Sequence, residues 1–292
     1  MKQRKSTPST RLINSRNHAT IKRIRSLHGR EARDGTQRFY IEGMRFVAHA
    51  LEAGRRVETL VYAPDLLQHP FAKRLVQQQT RAATPCLAVT PEVLHSIALN
   101  DDPQGIGAVV GQQWHTLDNI DPRDDLCWIV LESVQSPGNL GTILRTSEAV
   151  GGAGVILLGD SIDAYHPGTV RASMAAMFRQ RFVRSTLPQL LVWKRRHGCA
   201  LVGTSPAAKH EHCAVSYRRP TMLFMGSERK GLSQQEQAAC DAVVKLPMVG
   251  RSDSLNLAVA TGVMLYEIFG QCRAEASAEN PHPEYSIADE KP

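Results

Sequence analysis

No apolar run in the 292 residues approaches the roughly 18 needed to cross a bilayer. The N-terminus is polar and basic, without the apolar stretch of a secretory leader, so export is not expected. Six cysteines lie far apart, at 86, 127, 199, 213, 240 and 272, and none stand as Cys-x-x-Cys. That scatter excludes a disulfide scaffold or zinc ribbon and points to a reducing cytoplasm. His210, His212 and Cys213, with Cys199 nearby, match no structural zinc spacing, so no metal is expected. Internal repeats are absent. Aromatic residues make up only 5% of the chain, and Trp114, Trp128 and Trp193 read as packing residues.

What is present is unevenly spread charge. Residues 1–40 hold eleven Lys/Arg against two acids, whereas residues 273–292 hold two Lys/Arg against five acids. The long middle segment is almost balanced, so the formal net charge of +7 is an N-terminal property. A concentrated basic block suits a polyanion, because cation–phosphate contacts release counterions. A solubilising tail is the plainer alternative.

The chain divides by pattern. Residues 1–18 read as extended or disordered. Ile21, Ile24 and Leu27 recur at helical spacing among Lys22, Arg23, Arg25 and Arg30, a basic amphipathic helix. Strand and helix then alternate: strand Arg38–Ile41, helix Gly43–Glu52, strand Val57–Tyr62, helix Pro64–Thr80, strand Cys86–Thr90, helix Pro91–Leu99, strand Ile106–Val110. This predicts a small α/β domain over 36–112, after a basic extension at 1–35. A polar segment at 113–124 reads as a linker.

A second alternation fills 125–272. Strands are predicted at Leu126–Leu131, Val155–Leu158, Phe182–Ser185, Ala200–Gly203, Met222–Met225 and Val243–Leu246. Helices are predicted at Leu140–Val150, Val170–Phe178, Gln189–Arg196, Ser233–Ala239 and Leu255–Phe269. Strands this apolar and regularly separated imply a parallel sheet covered on both faces. The segment 273–292, with three prolines and an acidic balance, reads as a disordered tail.

Three loops carry the chemistry, each at the end of a strand-like run, where open α/β sheets bind ligands. In Gln135-Ser136-Pro137-Gly138-Asn139-Leu140-Gly141, Asn139 is placed to cap a helix and Gly141 permits close backbone approach. Arg145 lies one turn beyond Gly141, free to chelate a phosphate or to pair with Glu148. In Gly226-Ser227-Glu228-Arg229-Lys230-Gly231, two glycines bracket four polar residues; the order fits neither a Walker loop nor G-x-G-x-x-G, and a polar hairpin is the alternative. In Leu246-Pro247-Met248-Val249-Gly250-Arg251-Ser252-Asp253-Ser254-Leu255-Asn256, Ser254 is placed as an N-cap, leaving Leu255 and Asn256 with unpaired backbone N–H groups.

In order and context, this trio resembles the three motifs of the SpoU-type, or TrmH-like, RNA ribose 2′-O-methyltransferases of the SPOUT superfamily. The resemblance covers Asp125–Gln271. Val170-Arg171-Ala172-Ser173-Met174-Ala175-Ala176-Met177-Phe178 is similar to another family segment, and Phe39-Tyr40-Ile41-Glu42-Gly43 to the start of a ribosomal-protein-like RNA-binding domain spanning Arg16–Leu99. The resemblance implies an α/β SPOUT domain with a deep trefoil knot, preceded by that small α/β domain. It implies an S-adenosylmethionine (SAM) site at Thr204, Gly226, Leu246, Met248, Ser254 and Leu255. It places Asn139, Arg145, Glu228 and Asn256 at the ribose, in a cytoplasmic homodimer that needs no metal. Two residues depart from the family pattern: Ser136 stands where Asp is more usual, and Ala175 where Gly is usual. Ribosomal RNA of the 23S type is the expected substrate. A transfer RNA, or a non-catalytic RNA-binding protein of the same fold, is the alternative.

Overall fold

A computed structural model describes residues 12–123, 126–159, 161, 163–217 and 220–279. In chain order it contains α1 Ala19–Ser26, α2 Arg30–Thr36, β1 Arg38–Glu42, α3 Met44–Glu52, β2 Val57–Tyr62, α4 Pro70–Arg81, β3 Cys86–Ala88, α5 Pro91–His95 and β4 Ile106–Gly111. Then come β5 Cys127–Glu132, α6 Pro137–Ala149, β6 Gly154–Leu158, α7 Pro167–Ala172, β7 Arg181–Arg184, α8 Leu187–His197, β8 Ala200–Thr204, β9 His210–Glu211, β10 Thr221–Met225, α9 Gln234–Ala239, β11 Ala242–Lys245 and α10 Leu257–Glu279. None of these helices is long and apolar enough to cross a membrane.

The first four strands form one sheet in the order β1-β4-β2-β3. β4 runs antiparallel to β1 and β2, and β3 runs parallel to β2. The other seven form a second sheet in the order β7-β6-β5-β10-β8-β11-β9. The pairs β5/β6, β5/β10, β10/β8, β8/β11 and β11/β9 are all parallel. Every residue of β6 and β10 is buried, as strands covered on both faces should be.

By internal contacts the described residues form two compact units, one of 12–115, 134–145 and 161–183, the other of 116–133, 146–159 and 184–279. In the first, Ile21, Ile24 and Leu27 share a core with Tyr40, Val61, Val93 and Val109. The amphipathic helix therefore packs into the small domain, while Arg16, Lys22, Arg23 and Arg30 stay exposed. The Glu42-Gly43 pair has a mechanical role. The Glu42 carboxylate accepts the Leu99 amide, and Gly43 adopts φ +97°, where a Cβ would stand 3.1 Å from Gln104 Oε1.

Arg33 is 2% exposed and pairs with Asp163, 1% exposed, at 2.7 Å. Arg33 Nη1 donates to the Leu27 and His28 carbonyls, and Asp163 also accepts the Tyr165 amide. Arg55 reaches the same segment, donating to the carbonyls of Phe178 and Gln180, and Phe39 packs its ring against Tyr165 at 4.7 Å.

Several local readings need correction. The predicted helix Val170–Phe178 stops at Ala172, because Met174 and Ala175 take left-handed φ of +50° and +77°, and a 3-10 turn follows at Ala176–Arg179. Ala in that conformation costs about 1–2 kcal/mol, which the burial of its methyl offsets only in part. The helix expected from Pro64 begins only at Pro70, which supplies its first turn. α10 runs to Glu279, past the expected tail boundary at 273, because Arg273-Ala274-Glu275 favours helix. Residues 1–11 and 280–292, parts of the expected extension and tail, lie outside the described residues, as does Asp125.

Breaking the buried pair with Asp163→Ala should lower the unfolding free energy by about 3–5 kcal/mol, because it strands a buried guanidinium. Urea denaturation reads this as a lower midpoint. A loss below about 1 kcal/mol would mean that water reaches Arg33.

Candidate active site

β10, β8 and β11 are neighbours, and their C-terminal ends are level: Val244 pairs with Thr204, and Phe224 with Gly203. The chain leaves these three strands as three loops, which enclose a cavity of about 340 Å³ with the N-terminus of α10. Thr204, Gly226, Leu246, Met248, Ser254 and Leu255 all line it, together with Glu228. These residues belong to three loops well separated in sequence, and the fold brings them to one place.

The second loop is a hairpin. Ser227 and Gly231 exchange backbone hydrogen bonds of 3.2 and 2.9 Å, and Ser227 Oγ accepts from Lys230 N. Gly231 turns at φ +64°, and a methyl on Gly226 would stand 2.1 Å from Gly231 C and 2.2 Å from Leu232 N. No side chain fits at 226 unless the hairpin opens. Thr204 Oγ1 reaches Met225 Sδ at 3.5 Å, joining the ends of β8 and β10. The polar hairpin and the loop that lines the cavity are thus one object.

The third loop differs from its prediction in one respect. Asn256, not Ser254, caps α10: its Oδ1 accepts from Ala258 N at 2.9 Å and Val259 N at 3.3 Å. Ser254 is thereby released from capping and lines the cavity with Leu255, whereas Asn256 is not among the lining residues. Either Asx or Ser suits a cap, so sequence alone could not choose between them.

The first loop shifts in the same way. α6 begins at Pro137, and Ser136 Oγ accepts from Asn139 N at 3.3 Å, so Ser136 is the cap and Asn139 lies within the first turn. Ser caps as well as Asp does, so the departure at 136 leaves this role intact. The approach that Gly141 permits is to α7, where its methyl would stand 2.5 Å from Ala172 Cβ and 2.8 Å from Thr169 O. Asn139 and Arg145 are not among the cavity-lining residues. Arg145 is exposed.

Sequence reasoning overlooked Ser205, Asp253 and Leu257, which also line the cavity. Asp253 stood in the quoted loop, but nothing in its spacing separated it from Ser252. Among the described residues no group of three His, Cys, Asp or Glu could hold a metal ion.

The profile of the SpoU rRNA Methylase family matches residues 127–266, and that of the MRM3-like substrate binding domain matches 18–108. The chain is 33% identical over 286 residues to the 23S rRNA (uridine(2479)-2′-O)-methyltransferase of Streptomyces viridochromogenes, covering 94% of this chain and 97% of that one. The chain belongs to the SpoU rRNA Methylase family. It is 31% identical to the 23S rRNA (guanosine-2′-O-)-methyltransferase RlmB of Shewanella oneidensis, over 78% of this chain and 97% of that one. In structure it is similar to the AdoMet-bound rRNA methyltransferase of Sinorhizobium meliloti, with a TM-score of 0.81 and 33% identity, over 88% of this chain and 97% of that one. This SpoU-family chain therefore has relatives along nearly its whole length, small domain included.

The cavity suits SAM on its own chemistry. Its volume falls within the range of about 300–1,000 Å³ typical of small-molecule sites. Leu246, Met248, Leu255 and Leu257 offer apolar walls for a purine, and Thr204, Ser205 and Ser254 offer hydroxyls for a ribose. Glu228 and Asp253 suit a cationic sulfonium and amino group, and Arg229 and Lys230 a carboxylate. Gly226→Ala should abolish SAM binding in calorimetry. Gly250→Ala, in the third loop with open space around it, should bind as wild type does. Unchanged affinity in Gly226→Ala would remove the hairpin from the cofactor site.

Proposed function

We propose that this chain is a SAM-dependent methyltransferase acting on a ribose 2′-hydroxyl of 23S-type ribosomal RNA. The observation that carries the proposal is the single cavity gathering Thr204, Gly226, Leu246, Met248, Ser254 and Leu255 at the ends of three adjacent parallel strands. The substrate class follows relatives that act on 23S rRNA and a full-length likeness that includes the substrate-binding domain.

SAM supplies an electrophilic methyl on sulfur. The protein's task is to align a ribose 2′-oxygen in line with it, which is worth about 7–11 kcal/mol in well-oriented systems. Asn139 hydrogen-bonds the ribose. The Arg145 guanidinium binds the neighbouring phosphate and the 2′-oxygen. Guanidinium groups keep their proton in proteins, so the hydroxyl proton passes to that phosphate or to a water. Glu228 orients a ribose hydroxyl, and Asn256 adds to its cap a contact with the substrate.

Exposed Arg16, Lys22 and Arg23 supply part of the RNA affinity. Because Ile21 and Ile24 belong to the core, deleting residues 1–35 would damage the fold; replacing the charges is the clean test. The protein works in the cytoplasm as a homodimer. α10 is apolar on more than its core face: Val259 and Tyr266 are 53% and 57% exposed and form one stripe with Val263, while Met264, Leu265 and Ile268 are fully buried. A helix apolar all round is ordinarily covered, and a second copy covers this stripe.

Three outcomes are expected. Purified protein incubated with SAM and protein-free 23S rRNA yields 2′-O-methylribose in nuclease digests read by mass spectrometry; a methylated base would contradict the reaction. Arg145→Lys keeps the charge but loses the planar fork, so kcat falls about 100-fold or more while SAM affinity holds; near-wild-type turnover would sink its role. Replacing Arg16, Lys22 and Arg23 with Gln lowers the slope of log affinity for RNA against log salt by about 2; an unchanged slope would place RNA binding elsewhere.

A further inference from the structure

The unit that holds the small domain has a second cavity, of about 210 Å³, which the methyl-transfer reading leaves unused. Glu42 at the end of β1, Phe46 on α3, Asn100 beyond α5, and His166 and Arg171 at α7 line it, with Leu99 and Val170 as aliphatic walls. Each group has a definable chemistry. Glu42 is 7% exposed, and its carboxylate accepts from Leu99 N and from Asn100 Nδ2 at 3.4 Å. Its charge is thus taken up by protein donors and serves to hold Asn100 at the cavity. His166 Nδ1 accepts from Gly168 N at 3.0 Å. Burial, with Arg33 nearby, lowers the pKa of His166, so the ring is neutral and carries its proton on Nε2. Phe46 is half-buried, and Arg171 is exposed.

We infer that this cavity takes one nucleobase of the substrate RNA, its face on Phe46 and its edge toward His166 and Asn100, with Arg171 on the adjoining phosphate. The inference rests on the methyltransferase reading and deepens it by naming a specificity-determining site. A planar heterocycle fits the set. It needs a flat apolar wall, one ring donor and an amide able both to give and to accept. Stacking a base on an aromatic side chain contributes about 1–3 kcal/mol. Single-stranded or looped RNA presents such an unstacked base, whereas a regular duplex does not.

Position supports the same occupant. A methyl on Gly168 would stand 3.0 Å from Pro137 Cβ, so the cavity's α7 wall rests against the start of α6. Gly141 packs on α7 in turn, and Asn139 stands on α6 between Pro137 and Gly141. A base held here belongs to a nucleotide near the one whose ribose Asn139 addresses.

The test uses full-length protein, SAM and a protein-free 23S rRNA transcript. Phe46→Ala should lower kcat/KM for RNA about tenfold or more, the size of one lost stack, with SAM affinity within about twofold of wild type. Phe46→Trp should restore kcat/KM, and Arg171→Gln should raise KM without changing kcat. Unchanged kcat/KM in Phe46→Ala overturns the inference alone. So does a parallel fall in SAM affinity and unfolding midpoint, or failure of Phe46→Trp to recover activity. A wild type that binds SAM yet methylates no RNA overturns the methyltransferase reading and this inference with it.

Discussion

Thr221 pairs with Cys127 on one side and Ala200 on the other, and from there β10 runs in parallel register with both neighbours. That register brings Thr204, Met225 and Val244 to one level, so the loops that follow them converge. A slip of one residue would exchange the two faces of the strand and carry Gly226 away from the turn that requires it. Everything assigned to the cofactor follows from this alignment. The apolar strands fix the register, the register fixes the loop origins, and the loop origins define a cavity whose lining comes from positions up to 56 residues apart, Thr204 to Ala260.

The small domain has a different foundation. A guanidinium and a carboxylate, both almost fully buried, join α2 to the segment before α7 across 130 positions of sequence. Such a pair is costly to desolvate and adds little net stability over well-packed apolar residues. Its effect lies in fixing one arrangement, since neither partner tolerates losing the other. Arg55 extends the same logic by capping the carbonyls of the 3-10 turn that follows the strained Ala175. Asp163 and Arg55 hold in place the segment that carries His166 and Arg171, so the conformation of that segment depends on the small domain's own α2 and on the end of α3.

Much of the fold was legible in the sequence because parallel strands are continuous apolar runs, and these strands are separated by clear polar breaks. The loops that line the cavity were legible because glycine and asparagine mark turns. Where the sequence misled, the physics was degenerate or non-local. Ser254 and Asn256, like Ser136 and Asn139, are equally good caps two or three residues apart, and only tertiary geometry selects one. The break at Met174-Ala175 has no local signal, because neither residue favours positive φ. The Arg33–Asp163 pair connects residues that no short-range pattern relates. The second cavity was invisible for the same reason, since its walls come from three separated segments.

The proposed function is delivery of a methyl group to one ribose of large-subunit ribosomal RNA. The most direct measurement is a map of 2′-O-methyl sites in cellular RNA, with and without the protein. A 23S rRNA ribose should lose its methyl group in the absence of the protein and regain it when the wild type, but not Arg145→Lys, is restored. An unchanged 23S map, or a loss confined to transfer RNA, would contradict it.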